Sequence, residues 1–175
     1  LKLEYPKNKI EFLVVDSNST DKTREIVSKF PRIKLILQSE AKGKLSAINH
    51  AMKFAKNDVI IINDANTILE KDALVHLCKP FMDKSIGCVG ARYIAVSDHT
   101  SGVLSHETNY REREHKLWEL ETVFDSCFVC GELFAFRKKI VQKLNEDTMG
   151  DDLDVCLQVR KRGYKVVFQP QSTVY

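Results

Sequence analysis

Asp64 and Asn66 stand two positions apart where the aliphatic run Val59-Ile60-Ile61-Ile62 gives way to polar residues. Two oxygen-bearing side chains so spaced in a turn can aim at one point, and a hard cation such as Mg²⁺ is held by one or two such groups plus substrate phosphates. The same residues also suit an Asx turn and a helix cap with no ligand at all. A second acidic group, Asp151, Asp152 and Asp154, crowds the start of a helical pattern. One acid there complements the helix dipole. Further acids add repulsion, and like charges with partial burial raise a carboxylate's pKa towards that of a general base, while the dipole pulls the other way. Lys42 and Lys44 flank Gly43 at the amino end of another helical pattern, where backbone N–H groups favour an anion. The full phosphate-loop pattern is absent, and a solvated Lys-Gly-Lys turn is the alternative.

These groups need a scaffold, and the apolar pattern supplies one. Val59–Ile62 reads as a buried strand of a parallel sheet, whose carboxyl end is where open α/β sheets bind ligands. Apolar runs at 10–15, 33–37, 86–96, 127–137 and 164–168 predict further strands. Helices are predicted over 22–30, 45–56, 70–82, 105–124, 138–144 and 155–162. This alternation predicts a three-layer α/β architecture. The 105–124 segment, rich in Arg, Glu and His, reads as a half-exposed helix laced with ion pairs, with Arg111, Arg113, His115 and Lys116 solvated. Its Trp118 can pack in the core or offer a flat face to a sugar. Gly131, inside an apolar stretch and next to Glu132, marks a close approach of backbone or ligand.

A chain of 175 residues with 43% hydrophobic and 29% charged residues is an ordinary globular sequence, long enough for one domain over 1–175. A net charge of +3, from 27 basic and 24 acidic residues, is too mild to argue for nucleic acid. No apolar run approaches the roughly 18 residues of a membrane span. Five cysteines at irregular spacing do not form a disulfide framework, which favours a reducing, cytosolic setting. Cys127 and Cys130 form a lone CxxC, which fits buried small residues better than zinc or redox chemistry.

Several segments together carry a family resemblance. Val14-Val15-Asp16-Ser17-Asn18-Ser19-Thr20-Asp21-Lys22-Thr23 resembles the "VVDDGSTDxT" segment of the family 2 inverting glycosyltransferases of GT-A fold. Lys42-Gly43-Lys44-Leu45-Ser46-Ala47-Ile48-Asn49 is similar to their "GKxxALN", and Asp64-Ala65-Asn66 stands where they carry a DxD metal motif. Gly150-Asp151-Asp152 resembles the acidic pair whose second member is the catalytic base, and Arg160–Val166 resembles the "RRxGYRV" that follows it. The ordered set covers nearly the whole chain and is closest in pattern to polysaccharide-synthase-like members.

The resemblance implies a three-layer GT-A fold with a Rossmann-like, mostly parallel sheet, a nucleotide-sugar donor (most often UDP-linked) and Mg²⁺ or Mn²⁺. It places Asp16 at the base or ribose and Lys42 and Lys44 near the base or diphosphate, with Ser17 and Asn49 in the same donor-binding set. Asp64 and Asn66 would lie at the ribose, diphosphate and metal. Asp152, helped by Asp151, would deprotonate an acceptor hydroxyl on a saccharide or lipid-linked acceptor. Gly131 and Glu132 would lie near the acceptor or donor sugar. The full-length protein would work in the cytoplasm at the inner face of the membrane, attached through parts outside this chain and open to homo-oligomer formation. Asn66 departs from the pattern, since a neutral ligand weakens metal binding. The family also opens with a "VSVIIPxYNE" strand and a helix and, in processive synthases, ends with "QxxRW"; this chain has neither, so an incomplete domain with an open gap in its sheet is expected.

Three other readings fit parts of the pattern. A nucleotide-sugar-binding module without turnover would bind donor and transfer nothing. A nucleotidyltransferase also joins an α/β sheet to acidic metal ligands, but needs a basic glycine-rich loop where Asp16–Asp21 stands. A glycosidase would use paired carboxylates and leave the Lys-Gly-Lys segment without a role.

Overall fold

The structure, a computed structural model, describes residues 3–39, 43–95, 102–128, 131–148 and 150–175. Lys42 and Cys130 lie outside the described residues. Strands β1 (Phe12–Asp16) and β2 (Ile33–Leu37) pair in parallel around helix α1 (Thr23–Ser28). Helix α2 (Lys44–Met52) leads to β3 (Val59–Asn63). Helix α3 (Ala73–Cys78) tightens into a 3₁₀ turn, Lys79–Met82, before β4 (Ile86–Tyr93). The long α4 (Gly102–Val123), β5 (Leu133–Arg137), α5 (Asp151–Lys161) and β6 (Lys165–Val174) complete the order.

Strand alternation builds the layers. In β5, Phe134 and Phe136 face one side with Ile60, Cys88, Val166 and Phe168, under α2, α4 and α5. Leu133 and Ala135 face the other side with Val89, Ala91 and Val174, under Leu74 and Leu77 of α3. Period-two side chains on a central sheet thus feed two cores, as a three-layer α/β fold requires.

The second sheet has the order β3-β5-β4-β6 and is mixed: β5 runs antiparallel to β3 and β4, whereas β4 and β6 are parallel. The parallel partner expected for β3 is therefore replaced by an antiparallel one, because the chain enters β5 from α4 at the opposite end. No ladder joins β1–β2 to the four-stranded sheet among the described residues.

Several element expectations change; the strand predicted over 127–137, for one, starts only at Leu133. The helix predicted over 138–144 is a series of turns, in which Ile140, Val141 and Leu144 are all buried and the backbone bonds to Asp58, Arg137 and Asn49. Tertiary hydrogen bonds outcompete a short helix there. Strand β6 runs on past Pro170, because Ala91 pairs with Gln169 and Arg92 with Thr173, leaving the proline in a bulge where its missing N–H costs no ladder bond. Helix α5 begins at Asp151 rather than Val155, placing all three acids in its first turn. Among the described residues no helix is long and apolar enough to cross a membrane.

Gly87 sits where α5 crosses β4. A Cβ there would lie 2.7 Å from Val159 Cγ1 and 2.8 Å from Tyr164 Cβ. We expect Gly87→Ala to cost about 1–3 kcal/mol through overpacking. At this chain size that lowers the melting temperature by about 2–4 °C per kcal/mol. An unchanged melt would show that α5 can shift freely.

Candidate active site

Asp64 follows directly on β3, and its N–H donates to the Glu132 carbonyl at 2.9 Å, so the end of β3 and the start of β5 are locked side by side. Thr67 Oγ1 donates to Asn63 Oδ1 at 3.0 Å and to the Asp64 carbonyl at 2.9 Å, which closes the turn and leaves the Asp64 carboxylate free of it. Gly43, at φ +86°, turns the chain into α2 and delivers Lys44 as the first helical residue. Lys44 Nζ lies 2.7 Å from Asp64 Oδ1 and 3.1 Å from Asp151 Oδ2. Burial alone would lower the Lys44 pKa, but the two carboxylates outweigh it and hold the ammonium above its usual value. The Asp151 side chain is only 11% exposed, and that oxygen has no hydrogen bond to answer for its burial; the ammonium is its charge partner.

Asp152, on the next residue of α5, accepts from the Gly131 N–H at 3.1 Å through Oδ2 and from the Leu153 N–H at 2.7 Å through Oδ1. Gly131 takes φ +145°, a conformation that L side chains avoid, and this aims its N–H at Asp152. Glu132 approaches Arg111 of α4 at 3.7 Å through Oε1, while its Oε2 is buried without a hydrogen-bond partner. Arg111 also pairs with Glu114 at 3.4 Å and lies 5.5 Å from the Tyr93 ring centre. Asp64, Asp151, Asp152 and Glu132 thus line one acid-rich region, with Lys44 and Arg111 at its edges.

The remaining candidates divide. Asp16 is buried at the end of β1, accepting from the Ser19 N–H at 3.2 Å and Arg24 Nε at 2.6 Å. Hydrogen bonding from Ser19, opposed by burial and aided by Arg24, holds its carboxyl below the ordinary aspartate range, so it is charged at neutral pH. Ser17 Oγ donates to Gln38 Oε1 at 3.0 Å, and Gln38 Nε2 donates to Ser46 Oγ at 3.1 Å, tying the β1 turn to the first turn of α2. Asn49 is fully engaged elsewhere. Its Nδ2 donates to the Leu144 carbonyl and to Glu146 Oε1, both at 2.9 Å, and its Oδ1 accepts from the Leu144 N–H at 2.7 Å. Its side chain clamps the 144–146 loop to α2 and does not face the acid-rich region.

Two other sequence expectations are corrected by burial. Trp118, 7% exposed, packs in the core edge-on to Phe168 at 5.3 Å, so it offers no free face to a sugar. His115 is not solvated: it is 5% exposed and stacks on Phe168, with Nδ1 lacking a hydrogen-bond partner. Burial, then the charge of Arg92, push its pKa down, so the ring is neutral at pH 7. Asp154 accepts from the Asn145 N–H at 3.0 Å and Gln158 Nε2 at 2.8 Å, a structural role apart from its two neighbours. Arg160 donates to the Asp125 and Cys127 carbonyls, pinning the segment between α4 and β5 against α5.

Sequence reasoning passed over Arg24 and Gln38, and took as solvated the Arg111 that pairs with Glu114 and Glu132. Only Gln38 carried a usable signal, its place just past the carboxyl end of β2.

A divalent cation fits this region. Two carboxylates from β3 and α5 already converge on one cationic atom, and the buried Asp151 oxygen has that cation to meet its charge. Among the described residues no three His, Cys, Asp or Glu side chains form a closed metal cage. The fit is therefore to a Mg²⁺- or Mn²⁺-type ion that takes one or two carboxylates and completes its shell with phosphate and water. Asn66 is exposed on the turn beyond Asp64.

A three-layer α/β fold with acids gathered at strand ends and a helix start is the architecture of the GT-A glycosyltransferases. The chain belongs to glycosyl transferase family 2, whose model matches residues 1–144. It is similar to the probable glycosyltransferase YdaM of Bacillus subtilis (28% identity over 190 residues, 99% of this chain and 44% of the relative). A beta-monoglucosyldiacylglycerol synthase of Nostoc sp. is 30% identical over 96 residues, covering 51% of this chain and 20% of that protein. Among solved structures, the mannosyltransferase PcManGT from Pyrobaculum calidifontis, in complex with GDP-Man and Mn²⁺, superposes with a TM-score of 0.77 at 25% identity, over 99% of this chain and 49% of that one. The chain thus spans less than half the length of each of these relatives.

Proposed function

We propose that this chain carries the catalytic domain of an inverting glycosyltransferase that moves a sugar from a nucleoside diphosphate, UDP in the first instance, to a hydroxyl of a saccharide or lipid-linked acceptor. One observation carries the reading: Lys44, Asp64 and Asp151 meet at one point, with Asp152 on the adjoining residue. The complex of PcManGT with GDP-Man and Mn²⁺ and the lipid product named for the Nostoc relative support the donor and acceptor classes.

In this reading, Asp16 and Ser17 receive the nucleoside, and Lys44 and the amino end of α2 receive the diphosphate, where backbone N–H groups favour an anion. Asp64, with Asn66 two positions on, would hold a divalent cation, which would supply positive charge to offset the charge of the leaving diphosphate. Asp152 takes the proton of the acceptor hydroxyl as that oxygen attacks the anomeric carbon from the face opposite the diphosphate, which inverts the centre. The Gly131 N–H holds one Asp152 oxygen and so orients the carboxylate. Glu132, with Oε2 unpartnered, accepts a hydrogen bond from a sugar hydroxyl.

Calorimetric titration of UDP and of GDP into the protein, with and without Mn²⁺, tests the reading. Metal-dependent binding of either nucleotide is the expected result. Binding of neither under any metal condition overturns it.

A further inference from the structure

We infer that Lys44 is an internal substitute for the divalent cation, occupying the Asp64–Asp151 carboxylate pair until a nucleoside diphosphate draws it away, so that donor and metal bind cooperatively. The inference rests on the metal-assisted donor site proposed above and goes beyond it.

Asp64 and Asp151 come from different elements, β3 and α5, and their carboxylates repel unless a cation lies between them. The Lys44 ammonium supplies that charge, 2.7 Å from one carboxylate and 3.1 Å from the other. A divalent ion held by Asp64 would need the oxygens that the ammonium now faces. Two cations cannot share that space, so metal entry requires Lys44 to leave. The lysine is able to leave: its side chain is 48% exposed, and its four-carbon stem rotates freely. It gains by leaving only when another anion is at hand. Its position as the first residue of α2, beside helix N–H groups, puts the released ammonium where a diphosphate would bind. The diphosphate therefore supplies Lys44 with a new partner and the metal with additional oxygens at once. Lys44 acts here as a positioning residue.

The test measures Mn²⁺ affinity by electron paramagnetic resonance of free Mn²⁺, with and without saturating UDP or GDP (whichever binds). In the wild-type protein the nucleotide should tighten Mn²⁺ binding at least about fivefold to tenfold, within the usual range of coupling between sites. Lys44→Gln should tighten Mn²⁺ binding in the absence of nucleotide by about tenfold and shrink the coupling towards unity. Loss of a nearby positive charge acting only at long range would tighten both states equally and keep the coupling, and that result overturns the inference. Lys44→Arg, which keeps the charge, should retain weak nucleotide-free Mn²⁺ binding; a gain equal to that of Lys44→Gln also overturns it. If nucleotide binds but Mn²⁺ affinity is the same in wild type and Lys44→Gln, the inference fails and the donor-site reading stands. If neither nucleotide nor Mn²⁺ binds either protein, both fall.

Discussion

Asp152→Asn should lower the rate of sugar transfer by about 10³-fold, within the range that a positioned general base contributes. This corresponds to about 4 kcal/mol on the barrier. The substitution is isosteric, and the amide oxygen can still accept from the Gly131 N–H that now holds Asp152 Oδ2 at 3.1 Å. What disappears is the capacity to take a proton, together with the acceptor that Oδ1 offers the Leu153 N–H. Donor affinity should therefore stay within about twofold, because the Asp152 carboxylate is bonded to the Gly131 and Leu153 N–H groups, whereas Lys44, assigned to the diphosphate, pairs with Asp64 and Asp151. Single-turnover transfer, measured beside nucleotide binding, separates the two effects. Transfer that survives within tenfold removes Asp152 from the role of base. Asp151→Asn is a poor substitute for this test, since it strips Lys44 of a partner as well.

The second large effect belongs to Asp64. Asp64→Ala should weaken metal-dependent nucleotide binding by about 10²-fold, the upper end of what losing even an outer-shell partner of a metal costs. Fold stability should change little. The turn after β3 uses the Asp64 backbone carbonyl and N–H, not its carboxylate, whose charge contact is with Lys44. That contact is half-exposed and contributes at most about 1 kcal/mol. Calorimetry with Mn²⁺ present reads the affinity, and a thermal melt confirms the fold. Unchanged affinity in a normally melting variant removes Asp64 from the site.

The places where reading the sequence succeeded share a physical cause. Phe134 and Phe136 on one face of β5, with Leu133 and Ala135 on the other, follow from the two-residue period of any strand. Asp64 and Asp152 could be singled out as candidates because acids at a strand end and a helix start are local features. The misplaced residues were those whose surroundings come from distant segments. Asn49 lies within a recognisable segment on α2, yet its partners are Leu144 and Glu146. His115 lies in a charged segment, yet the ring stacks on Phe168 of β6. The helix expected over 138–144 had adequate local pattern and lost to hydrogen bonds made with Asp58 and Asn49.

By itself, then, the amino-acid sequence determined the α/β layering, the order of the strands and which acids and lysine were candidates for chemistry, because periodicity and side-chain type are properties of the local chain. Only the tertiary structure decided that β5 enters antiparallel beside β3, which brings Glu132 to Asp64, and that α5 sets Asp151 opposite the first residue of α2. The meeting of Lys44 with both Asp64 and Asp151 depends on three segments far apart in the chain. No local propensity encodes such a meeting; the packing of helices on a sheet does.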